Sequence, residues 1–131
     1  MGSSLTFVHY FLHLGFPLIL AWAFFRSDWK RAYLIMLATM LVDLDHLLAD
    51  PLFQADRCSI GFHPLHSFYA IPIYVLMLLL PYPFRLIGLG LLLHMATDFI
   101  DCLGMYHRCA ACQEGALAYE LMQTVGTWLN L

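Results

Sequence analysis

Phe84-Arg-Leu-Ile-Gly-Leu-Gly-Leu-Leu-Leu-His94-Met-Ala-Thr-Asp98-Phe-Ile-Asp101-Cys-Leu103 is the stretch that decides the fold. Its first half is a nearly unbroken apolar run, and the whole is long enough to cross a hydrocarbon core, which takes about 20 residues. Its second half sets an imidazole and a carboxylate four residues apart, on one face of a helix. An ionisable side chain at membrane depth costs roughly 2.5–3.5 kcal/mol even on the lenient insertion scale. Such a pair is retained where it has something to bind.

Three further pairs stand three or four residues apart, again about one helical turn: His9 with His13, Asp43 with His46, and His63 with His66. Asp45 and Asp101 lie beside them. Each pair has a plainer reading taken alone. The first and third could be solvated at the interface, the second could cap a helix end, and His94 with Asp98 could glue two helices together. Their arrival together makes a polynuclear metal site the leading expectation.

The composition agrees with a membrane setting. Of 131 residues, 62% are hydrophobic and 11% charged, against about 25% charged in a soluble domain, and the mean hydropathy is +0.74. The formal net charge of −3 offers no basic footprint for nucleic acid. Length implies one domain, residues 1–131.

Apolar runs separated by polar or proline-bearing turns predict an all-α polytopic membrane bundle of about four spans. These cover residues 5–25, 32–48, 65–80 and 84–103. Pro17 should kink the first. That span has no basic residue before it and no small-residue cleavage site after it, so it is expected to stay as a membrane helix. Leu117, Leu121, Met122, Val125 and Trp128 recur at helical spacing and predict an amphipathic helix over residues 114–130.

This topology sorts the ligands. His9 and His13 open the first span, Asp43 to His46 end the second, His63 and His66 open the third, and His94 to Asp101 end the fourth. Starts of odd spans and ends of even spans share one side, so all four pairs converge on one leaflet. Arg26, Lys30, Arg31 and Arg85 fall on the other side, while Arg57 and Arg108 fall with the ligands. The positive-inside bias then puts the site outside the cytoplasm. Cys58, Cys102, Cys109 and Cys112 share that side, which suggests disulfides of open connectivity; a structural zinc on Cys109 and Cys112 is the alternative.

Imidazole and carboxylate donors suit zinc, with manganese or iron as alternatives. The candidate ligands are His9, His13, Asp43, His46, His63, His66, His94 and Asp98, more than the four that one zinc takes. Two or more ions are therefore expected, with Asp45 or Asp101 as a spare carboxylate for general-base work.

Asp43-Leu-Asp-His46, His66-Ser67 and His94-Met-Ala-Thr-Asp98 resemble the bacterial inner-membrane proteins described as YdjM-like membrane-bound metal-dependent hydrolases. The resemblance runs over residues 5–105, including Arg57-Cys-Ser-Ile60 and Phe62-His-Pro-Leu-His66. That group is distantly similar to the zinc-dependent phospholipase C and P1 nuclease superfamily. The resemblance implies metal ligation by Asp43 or Asp45, His63 or His66, His94 and Asp98, and by His9 or His13. The chain departs from the usual His-Arg-Gly-x-x-His-Ser stretch, and the superfamily's later His and Glu ligands have no clear counterpart.

The expected function is hydrolysis of a phosphoester, such as a lipid headgroup, by a site at the outer membrane–water boundary. Membrane lipid is then the expected partner. A di-iron membrane oxygenase, a metal carrier and a non-catalytic metal-binding protein are the alternatives.

Overall fold

A computed structural model describes residues 3–52, 54 and 56–130. The described residues are helical throughout, with no strand among them. Helix α1 (Ser3–Tyr10) passes through a π turn (Phe11–Gly15) into α2 (Phe16–Phe24). Pro17 explains the widening. Its ring crowds the carbonyl four residues back, at His13, and it has no N–H to donate there. The wider turn takes up that mismatch where a sharp kink is expected from sequence.

Helix α3 (Trp29–Ala38) continues directly into a 3₁₀ segment, Thr39–Leu48. At three residues per turn, every third side chain eclipses the last. Thr39, Val42 and Asp45 accordingly form its buried face. A second 3₁₀ turn, Pro64–His66, precedes α4 (Ala70–Met77). Helix α5 (Phe84–Arg108) is the longest element, and after a short 3₁₀ turn at Ala111–Gln113 the chain ends in α6 (Tyr119–Trp128).

Helix α5 is the axis on which α1, α3, α4 and α6 pack. Two glycines let its neighbours come close. A Cβ on Gly88 would lie 2.7 Å from Met77 Cβ and 2.8 Å from the Tyr74 carbonyl, and one on Gly90 would lie 2.7 Å from Thr39 Oγ1. One core cluster joins Ala21, Ala32, Met36 and Leu86. The other joins Val42, Cys58, Ile60, Tyr74, Met95, Cys102 and Met122. The Cys58–Cys102 disulfide ties the loop after the Thr39–Leu48 segment to α5, and Cys109–Cys112 closes the turn after α5.

The all-helical expectation holds, but the expected spans need correction. Two helices are long and apolar enough to cross a membrane by length and composition, Thr6–Phe24 and Phe84–Arg108. Four crossing helices are not supported. The region expected as the second span is α helix for only half its length, and that expected as the third opens with a proline-led 3₁₀ turn and holds an eight-residue helix. The terminal amphipathic helix is shorter than expected, Tyr119–Trp128 against 114–130, because residues 114–118 form turns. Large apolar side chains face outward in number, among them Leu79 (78% exposed), Leu48 (76%) and Phe24 (75%).

Candidate metal centre

Three elements deliver four donors to one place. The 3₁₀ segment Thr39–Leu48 brings Asp43, the Pro64–His66 turn brings His66, and one face of α5 brings His94 and Asp98. His66 and His94 are buried almost completely and Asp98 nearly so, while Asp43 reaches solvent.

The spacing of the donor atoms is informative. His66 Nε2 lies 3.1 Å from His94 Nε2, 3.1 Å from Asp98 Oδ2 and 3.4 Å from Asp43 Oδ1. His94 Nε2 lies 3.1 Å from Asp43 Oδ1 and 3.4 Å from Asp98 Oδ2. Four donors at tetrahedral corners, each about 2.0–2.1 Å from a zinc-sized ion, stand about 3.3 Å apart. Five of the six edges are measured here, and all fall close to that value.

Hydrogen bonding alone does not account for this packing. Each imidazole Nε2 carries at most one proton, yet each faces another Nε2 and two carboxylates. A shared cation would be met by all four donor atoms at once, although the far ring nitrogen of His94, Nδ1, has no hydrogen-bond partner. No lysine or arginine pairs with this cluster; the ion pair that an arginine makes among the described residues is Arg108 with Asp56, elsewhere. These four residues therefore form a His/Asp cluster that could hold a metal ion, and the donor set fits a tetrahedral divalent cation.

The surroundings support that assignment. Ligating histidines commonly donate their other ring N–H to a carboxylate, which fixes ring and tautomer. His66 Nδ1 lies 3.1 Å from Asp45 Oδ2, which also accepts the Leu65 backbone N–H at 2.8 Å. Asp45 is thus buried and occupied in holding His66. Its place does not suit the general-base role expected for it.

The remaining expected ligands fall on either side. His13 is buried, with Nε2 3.6 Å from Asp98 Oδ1, and its Nδ1 has no hydrogen-bond partner. His9 hydrogen-bonds through Nδ1 to Asp101 Oδ2. These three residues do not join the four-donor cluster. His46 and His63 gather instead with Asp45 in a second group whose ligand atoms lie within 4.8 Å of one another. Burial holds the His63 imidazole down at about 4, so its ring is neutral near pH 7.

A cavity of about 330 Å³ opens beside the four-donor cluster, lined by His9, Asp43, His46, Ser59, Asp98 and Asp101 among others. Ser59, whose Oγ lies 3.2 Å from His46 Nε2, is a site residue that sequence reasoning passed over. A serine in a loop carries no pattern that would single it out.

Residues 4–105 match DUF6122, a family of unknown function. The chain belongs to this family. The matched region contains all ten His and Asp residues expected at the site and stops before α6. No curated protein and no solved structure matches the chain.

Proposed function

We propose that this chain is a membrane-embedded metal-dependent hydrolase of a phosphoester such as a lipid headgroup, with zinc held by Asp43, His66, His94 and Asp98. The observation that carries the reading is the 3.1–3.4 Å spacing of four donors, two imidazole and two carboxylate, with both carboxylates at the wall of an open cavity. The resemblance to YdjM-like hydrolases supports it. A divalent cation in such a site supplies Lewis acidity and eases the ionisation of a water.

The chain's own groups shape the rest. Asp101, held by His9 at the cavity wall, is the carboxylate placed to accept a proton, a role that Asp45 is too occupied to fill. No lysine or arginine lines the cavity among the described residues. That favours a singly charged phosphodiester over a doubly charged monoester.

The setting we propose is the bacterial inner membrane, crossed at least by Thr6–Phe24 and Phe84–Arg108, with the site on the periplasmic side. Helix α3 and the 3₁₀ segment after it run end to end. At 1.5 and 2.0 Å per residue they extend about 35 Å, enough to cross. The outward leucines suit a lipid surround, and the two disulfides suit an oxidising compartment. A carrier would need a polar path through the other half of the bundle, and residues 86–93 of α5 offer none.

Purified protein loaded with zinc or manganese should hydrolyse a phospholipid or a simple phosphodiester, and Asp98→Asn should abolish it. A broad panel of phosphoesters that gives no turnover above the Asp98→Asn control, with either metal, would end the enzyme reading.

A further inference from the structure

We propose a second divalent-cation site, formed by Asp45, His46 and His63, separate from the four-donor centre and joined to it through the contact between Asp45 and His66. One ligand atom from each residue lies within 4.8 Å of the others. The residues come from different parts of the chain, the Thr39–Leu48 segment and the loop ahead of Pro64, so local helix geometry alone does not gather them.

His63 supplies the independent observation. It is 3% exposed, and neither ring nitrogen makes a hydrogen bond to any described residue. Unlike the sealed nitrogens of His13 and His94, those of the His63 ring are open to water or an ion. Its ring stacks on His46, centroids 3.8 Å apart, and it borders a cavity of about 220 Å³ together with Asp45 and Asp50. That cavity has room for water to complete the coordination of an ion.

His46 is arranged as a ligand would be. Its Nδ1 lies 3.2 Å from Asp45 Oδ1, and its Nε2 lies 3.2 Å from Ser59 Oγ. With Nδ1 turned to an ion, the N–H on Nε2 donates to the serine hydroxyl, the usual outer support for a ligating histidine. Asp45 then serves both places. Oδ1 faces His46 and the second ion, while Oδ2 accepts from His66 Nδ1 and from the Leu65 backbone. Filling the second site fixes the Asp45 carboxylate, and through it the His66 ring. The site stands on its own geometry; its positioning role rests on the four-donor centre being a metal site.

The test is metal stoichiometry on the full-length chain in detergent, stripped with chelator and retitrated with Zn²⁺, then with Co²⁺ for its visible spectrum. Wild type should take up two ions. His63→Gln should take up one, the ion that Asp98→Asn removes, and Asp98→Asn should keep the other. In His63→Gln the retained ion should bind about 10–100-fold more weakly, as loss of outer support commonly produces. A His63→Gln variant that still binds two ions would overturn the proposal, as would a wild type whose single ion is lost in Asp98→Asn but kept in His63→Gln. A single ion lost in His63→Gln and kept in Asp98→Asn would instead uphold this site and refute the four-donor centre. His46→Gln gives the same readout if His63→Gln fails to fold, with helical circular dichroism as the check on folding.

Discussion

His66 and His94, 28 residues apart in sequence, face each other Nε2 to Nε2 at 3.1 Å. With a proton on each, His66 would donate to Asp98 and His94 to Asp43, but the two N–H groups would then also face each other at 3.1 Å. A cation between them removes the conflict. The pair also joins α5 to the turn that starts at Pro64, so the same contact organises the fold and the site.

Removing a member of this pair should therefore cost metal and stability together. His94→Ala and Asp98→Ala should each lose bound zinc and lower the melting temperature of the metal-loaded protein, because binding to a site absent from the unfolded chain is also folding energy. Metal analysis beside thermal melts checks this. Full metal content with unchanged melting in both variants would show a hydrogen-bonded helix contact instead.

Asp45 should behave as a support for His66. Asp45→Ala should weaken zinc binding by about 10–100-fold, the usual loss for an outer-shell partner. Asp45→Asn keeps an acceptor for the His66 N–H and should lose less. Competition titration with a chromophoric chelator separates the two.

The α4–α5 contact gives a prediction without metal. Gly88→Ala drives a methyl into Met77 and the Tyr74 carbonyl, and backbone cannot retreat as a flexible side chain can. Destabilisation of about 1–3 kcal/mol is expected from overpacking, measured by denaturation in mild detergent. A melting curve that matches wild type would show that the helices sit farther apart.

All four cysteines are paired. Thiol labelling of unreduced protein should find none of them reactive. Reduction, or Cys58→Ser with Cys102→Ser, should lower stability by about 2–4 kcal/mol, because the long loop between them is released in the unfolded state. Full labelling of native protein isolated without reductant would refute the pairing.

His63 sets a pH dependence in the metal-free protein. Its imidazole is held at about 4 by burial, below the ordinary 6.5. Between those values the unfolded chain binds the proton and the folded chain does not, so stability is full above about 6.5 and falls as pH drops towards 4. In chelator, wild type should lose more melting temperature between pH 7 and pH 5 than His63→Gln does. Equal losses would show that His63 is not the group responsible.

Much of this molecule could be read from residue order alone. The helical class, the long apolar α5 and the one-turn ligand pairs follow from periodicity and hydropathy, which act on neighbours in sequence. The expected convergence of all four pairs rested on four spans, of which two are long and apolar enough to cross. His94 and Asp98 share a face because both lie on one α helix, and no partner was needed to show it. The even cysteine count suggested disulfides, but it left three pairings open, since loop closure between distant cysteines depends on where the chain returns.

Tertiary structure alone decided how eight expected ligands divide. Asp43 joins His66, His94 and Asp98, whereas Asp45 and His46, two and three residues along, face His63. The 3₁₀ winding of Thr39–Leu48 is the local reason. It buries residues 39, 42 and 45 as one stripe, so Asp45 turns inward, while Asp43 and His46 eclipse each other 3.6 Å apart where the two groups meet. Periodicity could not reveal that winding. It is one of several ways to continue a helix, and packing against α5 and the loop tied down by Cys58–Cys102 selects among them.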